Sequence, residues 1–254
     1  MPSEFFDHLM RWNVERNGTA AQQPLFFQEI AMMGAGFTAA TAKIRPLLPH
    51  RDLIPLELTP GRALVLVACF EYRVCDLDPY NEVSIAFAAT HQRGTLPGVG
   101  VLDALRRRVI PAYIWQLPVT TERARAVGVD HYGLPKFIAD IRYEEANGVR
   151  TCTLATGDQI ILQLKGQMLP ARRSQQQRLV IYGVEGELVA QSNALINAPE
   201  FAQTLDRSAA SLTLGDHPIS QTLRGLGLSA GSAFYQYIPR AETILFPARN
   251  VADV

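Results

Sequence analysis

Three of the 24 basic residues in this 254-residue chain are lysines, Lys43, Lys136 and Lys165, so arginine is its ordinary surface cation. Lys136 stands out by its setting. It follows Gly133-Leu134-Pro135 and leads into Phe137-Ile138-Ala139, which offer little to solvate an ammonium. Desolvation disfavours the ammonium more than the amine. A neutral amine is a nucleophile that condenses with a carbonyl compound to give a Schiff base. The residues alone also allow a plainer reading, a strand-start lysine whose stem packs on apolar neighbours while its head reaches water. Glu82, after Asp78-Pro79-Tyr80-Asn81, is open in the same way: an exposed residue at a strand start, or a carboxylate at the mouth of a barrel.

Other candidate constellations are weaker. The acidic run Asp76 to Phe87 fails as a calcium loop, with Asn81 where glycine belongs and Phe87 where the bidentate glutamate belongs. Gly34-Ala35-Gly36-Phe37-Thr38-Ala39 matches a dinucleotide fingerprint, with Glu57 near the ribose-binding position. Pro46, Pro49, Pro55 and Pro60 break up the alternation of strands and helices that such a domain needs. Small residues entering a helix over 38–47 are the competing explanation. Arg106-Arg107-Arg108 reads as the solvated end of a helix over 101–109. His131 reads as a proton shuttle or a hydrogen-bonded packing residue, and His217 as structural. No His/Cys/Asp cluster has metal-ligand spacing, so neither metal nor cofactor is expected.

The elements that must position Lys136 are mostly strands. Ser3 is placed to cap a short amphipathic helix carrying Phe5, Phe6, Leu9, Met10 and Trp12, followed by a polar link over 17–24. Strands are expected over 25–33, 62–73, 83–90 and 112–120, and a short helix from Thr121 to about Gly128 delivers the chain to the lysine. Further strands follow over 137–145, 149–155, 159–165, 178–183, 188–196 and 234–246, with Asn147-Gly148 and Gly157-Asp158 as hairpin turns. Asp216 is expected to cap a helix that begins near Pro218. Strands in direct succession pair antiparallel, as in a sandwich or closed barrel.

The run Val127-Gly128-Val129-Asp130-His131-Tyr132-Gly133-Leu134-Pro135-Lys136 resembles the Gly/Ala-aromatic-Pro-Lys-Lys segment of the acetoacetate decarboxylase superfamily. Tyr80-Asn81-Glu82 resembles that family's Tyr-x-Glu, whose carboxylate faces the lysine. The resemblance implies a mostly β (α+β) fold, an antiparallel β-barrel or cone with a few peripheral helices. It also implies a lyase that forms a Schiff base through Lys136 with a small β-keto or oxo acid. Glu82 would move protons, and Phe137, Tyr80 and Leu134 would line the substrate pocket. The same intermediate serves aldol and dehydration chemistry, and a non-catalytic ligand-binding barrel is the competing class. Phe137 stands where the family's decarboxylases have a second lysine, and Leu134 where they have an aromatic. No arginine matches the one that family members place near the substrate carboxylate.

Composition agrees with a globular chain, expected as a single domain over 1–254: 48% hydrophobic and 19% charged residues, with 24 acidic residues balancing the 24 basic ones. That balance points to no nucleic-acid or membrane partner. Cys69, Cys75 and Cys152 read as thiols of a reducing compartment. The expected protein is a cytoplasmic homo-oligomer without a signal peptide or membrane-spanning run.

Overall fold

The computed structural model describes residues 4–186 and 188–251. A single 3-10 turn, Glu4–Phe6, stands where an N-terminal helix was expected, and Ser3 lies outside the described residues. The expected polar link is instead a hairpin of β1 (Trp12–Arg16) and β2 (Thr19–Gln23). Asn17 and Gly18 both have positive φ, 51° and 79°, which suits the tight hairpin turn that Asn-Gly favours.

The next strand, β3 (Leu25–Ala40), runs through the glycine fingerprint without a break. The expected helix over 38–47 shrinks to α1 (Thr41–Ile44) and a 3-10 turn, Arg45–Leu47. A Cβ at Gly36 would overlap the ring of Phe234, so that glycine serves close packing between strands. The fingerprint therefore lacks the strand-to-helix turn that binds a pyrophosphate.

Short strands β4 (Leu53–Pro55) and β5 (Glu57–Thr59) precede two long ones, β6 (Arg62–Cys75) and β7 (Tyr80–His91). Helix α2 (Val99–Arg107) leads to β8 (Val109–Val119), and α3 (Glu122–Tyr132) to the three-residue β9 (Lys136–Ile138). Then come β10 (Asp140–Ala146), β11 (Val149–Thr156), β12 (Gln159–Gln167), β13 (Arg173–Glu185) and β14 (Leu188–Thr204). The last elements are β15 (Ala210–Leu214), α4 (Pro218–Gly225), β16 (Phe234–Leu245) and β17 (Arg249–Asn250). His217 caps α4, its Nδ1 accepting from the Ile219 N–H at 3.2 Å, in place of the expected Asp216. No helix is long and apolar enough to cross a membrane among the described residues.

Seven strands close a barrel in the order β3, β6, β7, β8, β13, β14, β16 and back to β3. All these pairs are antiparallel except β8 with β13, and β9 also joins β8 in parallel. A second sheet, β10-β11-β12-β15, covers one side of the barrel. Strands between the two are buried on both faces and read as continuous apolar runs. In β7, Val83, Ile85 and Phe87 point outward into the core under the second sheet, while Glu82, Ser84 and Ala86 point inward.

A barrel of this strand number is ordinarily filled by its own side chains. Here a row of small residues hollows it. Gly34 faces Ala68 across one strand pair, and Ala68 faces Ser84 across the next. The space they leave is a cavity of about 140 Å³ inside the barrel. A cavity of about 150 Å³ holds a benzene-sized molecule, which sets the scale.

Candidate functional site

Lys136 is delivered to that cavity by α3. Thr121 caps the helix, accepting from Ala124 N–H at 3.4 Å, and the helix continues a turn beyond Gly128 to Tyr132. Gly133 ends it in the left-handed region, φ 60°, with its N–H returning to Val129 C=O at 3.1 Å. Leu134 and Pro135 then turn the chain into β9, where Lys136 lies opposite Leu117 of β8. Gly128 has a second duty. A Cβ there would overlap Cδ and Cε of Lys136, so the lysine stem crosses the helix at the one residue without a side chain.

The side chains of Lys136 and Glu82 are 6% and 8% exposed, and Nζ donates to Glu82 Oε2 at 2.7 Å. The other oxygen, Oε1, accepts from the Tyr72 hydroxyl at 3.2 Å. Tyr72 stacks on Tyr80 with ring centroids 4.5 Å apart, and Nζ lies 5.5 Å from the centre of the Tyr80 ring. Burial, reinforced by the Glu82 charge, pushes both phenols well above their usual range, so Tyr72 stays a neutral donor. The carboxylate is thus held from both sides, with the amine on one oxygen and a phenol on the other.

Of the five residues singled out in the sequence, Lys136, Glu82, Tyr80 and Leu134 line one cavity. Phe137 does not. Adjacent strand residues point to opposite faces, so Phe137 packs in the core outside the barrel while Lys136 points in. His131 is buried between α3 and the β1–β2 hairpin, with Nε2 2.8 Å from Thr19 C=O and Nδ1 3.1 Å from Gln23 Nε2. Those contacts make it a packing residue. Tyr72, Gln177, Gln236 and Thr243 also line the cavity and were not singled out in the sequence. The signal for Tyr72 was its place in the apolar alternation of β6; the other three carry none. Apart from Lys136, no cation lines the cavity among the described residues, and no three metal-ligating side chains cluster there.

The arrangement, a buried amine on a carboxylate inside a closed, hollowed barrel, suits covalent chemistry on a small carbonyl compound. The family model described as acetoacetate decarboxylase matches residues 15–183, and the chain belongs to that family. Solved structures agree in fold. An acetoacetate decarboxylase is 15% identical, with a TM-score of 0.66 over 91% of this chain and 90% of that one. Acetoacetate decarboxylase from Legionella pneumophila is 13% identical, with a TM-score of 0.61 over 98% and 95% of the two chains. The enduracididine biosynthesis enzyme MppR, complexed with the condensation product of pyruvate and imidazole 4-carboxaldehyde, is 13% identical. Its TM-score is 0.59, over 89% of each chain. No curated protein matches the sequence.

Proposed function

We propose that the protein is a carbon–carbon lyase of the acetoacetate decarboxylase type, acting on a small oxo acid through a Schiff base at Lys136. The observation that carries this reading is the contact of the Lys136 amine with Glu82 at 2.7 Å inside an apolar cavity. Glu82 takes a proton from the ammonium, and the freed Nζ adds to the substrate carbonyl carbon. Glu82 returns a proton to the carbinolamine oxygen, and water leaves to give the iminium. The bond to the carboxylate carbon of a β-oxo acid then breaks. Its electron pair moves toward the iminium nitrogen, giving an enamine and carbon dioxide. Protonation of the enamine carbon and hydrolysis by water release the ketone and restore Lys136.

The apolar lining favours this direction. Iminium and carboxylate carry opposite charges, whereas enamine and carbon dioxide carry none, and burying charge in apolar surroundings is unfavourable. A second reading, aldol condensation or dehydration through the same iminium, draws on the lack of an arginine in the lining among the described residues. MppR, which shares the fold, has been solved in complex with the condensation product of pyruvate and imidazole 4-carboxaldehyde, and this supports the second reading.

Borohydride treatment in the presence of acetoacetate, and separately of pyruvate, tests the proposal. The expected result is a covalent mass adduct located at Lys136 and absent from Lys136→Ala. Carbon dioxide release from acetoacetate selects decarboxylation; an adduct with pyruvate and no release selects the second reading. No adduct across a broad panel of oxo acids, or one that persists in Lys136→Ala, ends both.

A further inference from the structure

Two polar groups in the cavity have no part in the chemistry at Lys136. Gln177 and Thr243 are 5% and 6% exposed, both line the cavity, and neither Gln177 Nε2 nor Thr243 Oγ1 has a hydrogen-bond partner. Gln177 faces Ile196 across β13 and β14, Ile196 faces Thr243 across β14 and β16, and Thr243 faces Phe27 across β16 and β3. Cross-strand partners share a face of the sheet, so these four form one row on the inner wall. The Phe27 ring packs at a tilt of 42° against Tyr72 with centroids 4.7 Å apart, and Tyr72 donates to Glu82. The row is therefore linked to the lysine through two aromatic rings.

A buried amide or hydroxyl without a partner has lost its water contacts and gained nothing, a condition native proteins rarely leave unexplained. Both groups point into a space large enough for a ligand. The Gln177 amide nitrogen only donates, and the Thr243 hydroxyl both donates and accepts. Neither carries charge, so a carboxylate placed here would be desolvated without a counter-ion. A neutral carbonyl, ester, ether or hydroxyl oxygen meets both groups without that penalty. Ile196 and Phe27 between and beside them call for an apolar chain.

We infer that Gln177 and Thr243 form a subsite for a neutral oxygen function, carried on an apolar chain by a substrate whose reactive carbonyl lies at Lys136. The placement of that carbonyl rests on the Schiff-base reading; the subsite itself does not. Its test accordingly uses ligands with no ketone. Binding of 1-hexanol and of hexanoate is measured by calorimetry on the wild type, Gln177→Met, Thr243→Val and the double variant.

The expected result is a 1-hexanol Kd about fivefold higher in each single variant, the loss of one ordinary hydrogen bond, and about 25-fold higher in the double variant. Hexanoate should bind the wild type more weakly than 1-hexanol. Thermal midpoints of the variants should match or exceed the parent's, because removing unpartnered polar groups relieves the fold. No 1-hexanol binding to the wild type, binding unchanged within twofold in the variants, or hexanoate bound more tightly than 1-hexanol overturns the subsite. So does a lowered midpoint with unchanged 1-hexanol binding, which would make the groups structural. Borohydride trapping of 2-heptanone on the same proteins reports separately on Lys136. Its failure beside the expected 1-hexanol result overturns only the Schiff-base reading.

Discussion

Lys136 and Arg150 are both cations with side chains less than a tenth exposed, and both are paired with glutamate. Their surroundings differ. Arg150, on β11, bonds Glu71 of the neighbouring barrel strand and Glu145 at 3.0 Å, and its guanidinium lies 4.5 Å from the Tyr143 ring centre. It joins the second sheet to the barrel. An arginine does not lose its proton in a protein, so those contacts stay made. Lys136 has one carboxylate, 2.7 Å away, and faces a cavity. Its amine is the group through which the proposed Schiff base would form. A guanidinium shared by two carboxylates fastens two layers, whereas a singly paired amine lies beside open space.

The sharpest way to break this comparison is Lys136→Met. Loss of the nucleophile should lower adduct formation and turnover at least 10³-fold, measured by borohydride trapping and carbon dioxide release. Adding Glu82→Leu to that variant should leave the thermal midpoint at or above the parent's, because an apolar replacement of a buried ion pair is neutral or stabilising. A clear fall would show that this pair, like the other, holds the fold together.

Arg150→Met should do the reverse. Removing the guanidinium unties the two layers and leaves Glu71 to Arg73 alone, and we expect about 1 kcal/mol of lost stability in urea denaturation, with trapping at Lys136 retained. Intact stability would remove the structural half of the comparison.

Gly128→Ala addresses geometry alone. The new methyl must displace the Lys136 stem, and a misplaced nucleophile should react about 10- to 100-fold more slowly in an otherwise folded protein. Unchanged trapping kinetics would show that the stem has another route past α3.

The smallest effect is a pH dependence at the Arg150 junction. Burial alone would raise the Glu71 carboxyl, but hydrogen bonds and charge from Arg73 and Arg150 outweigh it and hold the group below its usual value. A lowered folded value stabilises the ionised native state above the unfolded value of about 4.3, and that contribution is lost as pH falls through the folded value. Glu71 is partly exposed, so the gain is below about 1 kcal/mol. Urea midpoints from about pH 5 to about pH 2 should therefore fall more steeply for the parent than for Glu71→Gln. Parallel curves would refute the assignment.

The sequence made the lysine turn and its carboxylate partner legible, because Lys136 is one of three lysines and Glu82 lies in a recognisable Tyr-Asn-Glu run. Long apolar strands such as β6 and β7 were equally plain. What misled were small residues. Gly34 to Ala39 looked like a strand entering a helix, whereas in the barrel they continue β3 past Phe234 and Ala68. Phe137 was expected in the pocket from the family resemblance, although strand alternation turns it outward. Gln177 lay just before the expected start of its strand at Arg178, while the observed strand begins at Arg173. Nothing in a linear sequence marks Gln177 or Thr243 as unpartnered; that condition exists only once β13, β14 and β16 lie side by side.

The seam between β3 and β16 sets Leu25 opposite Leu245, nearly the whole sequence apart. During synthesis the chain emerges from its N-terminal side. The stave that completes the wall, β16, therefore leaves the ribosome after every other strand of the barrel. Until then β3 presents a bare edge, and unpaired edges invite pairing with other chains. The nascent chain cannot enclose its cavity early, and Lys136 faces an open trough rather than a chamber until β16 is in place.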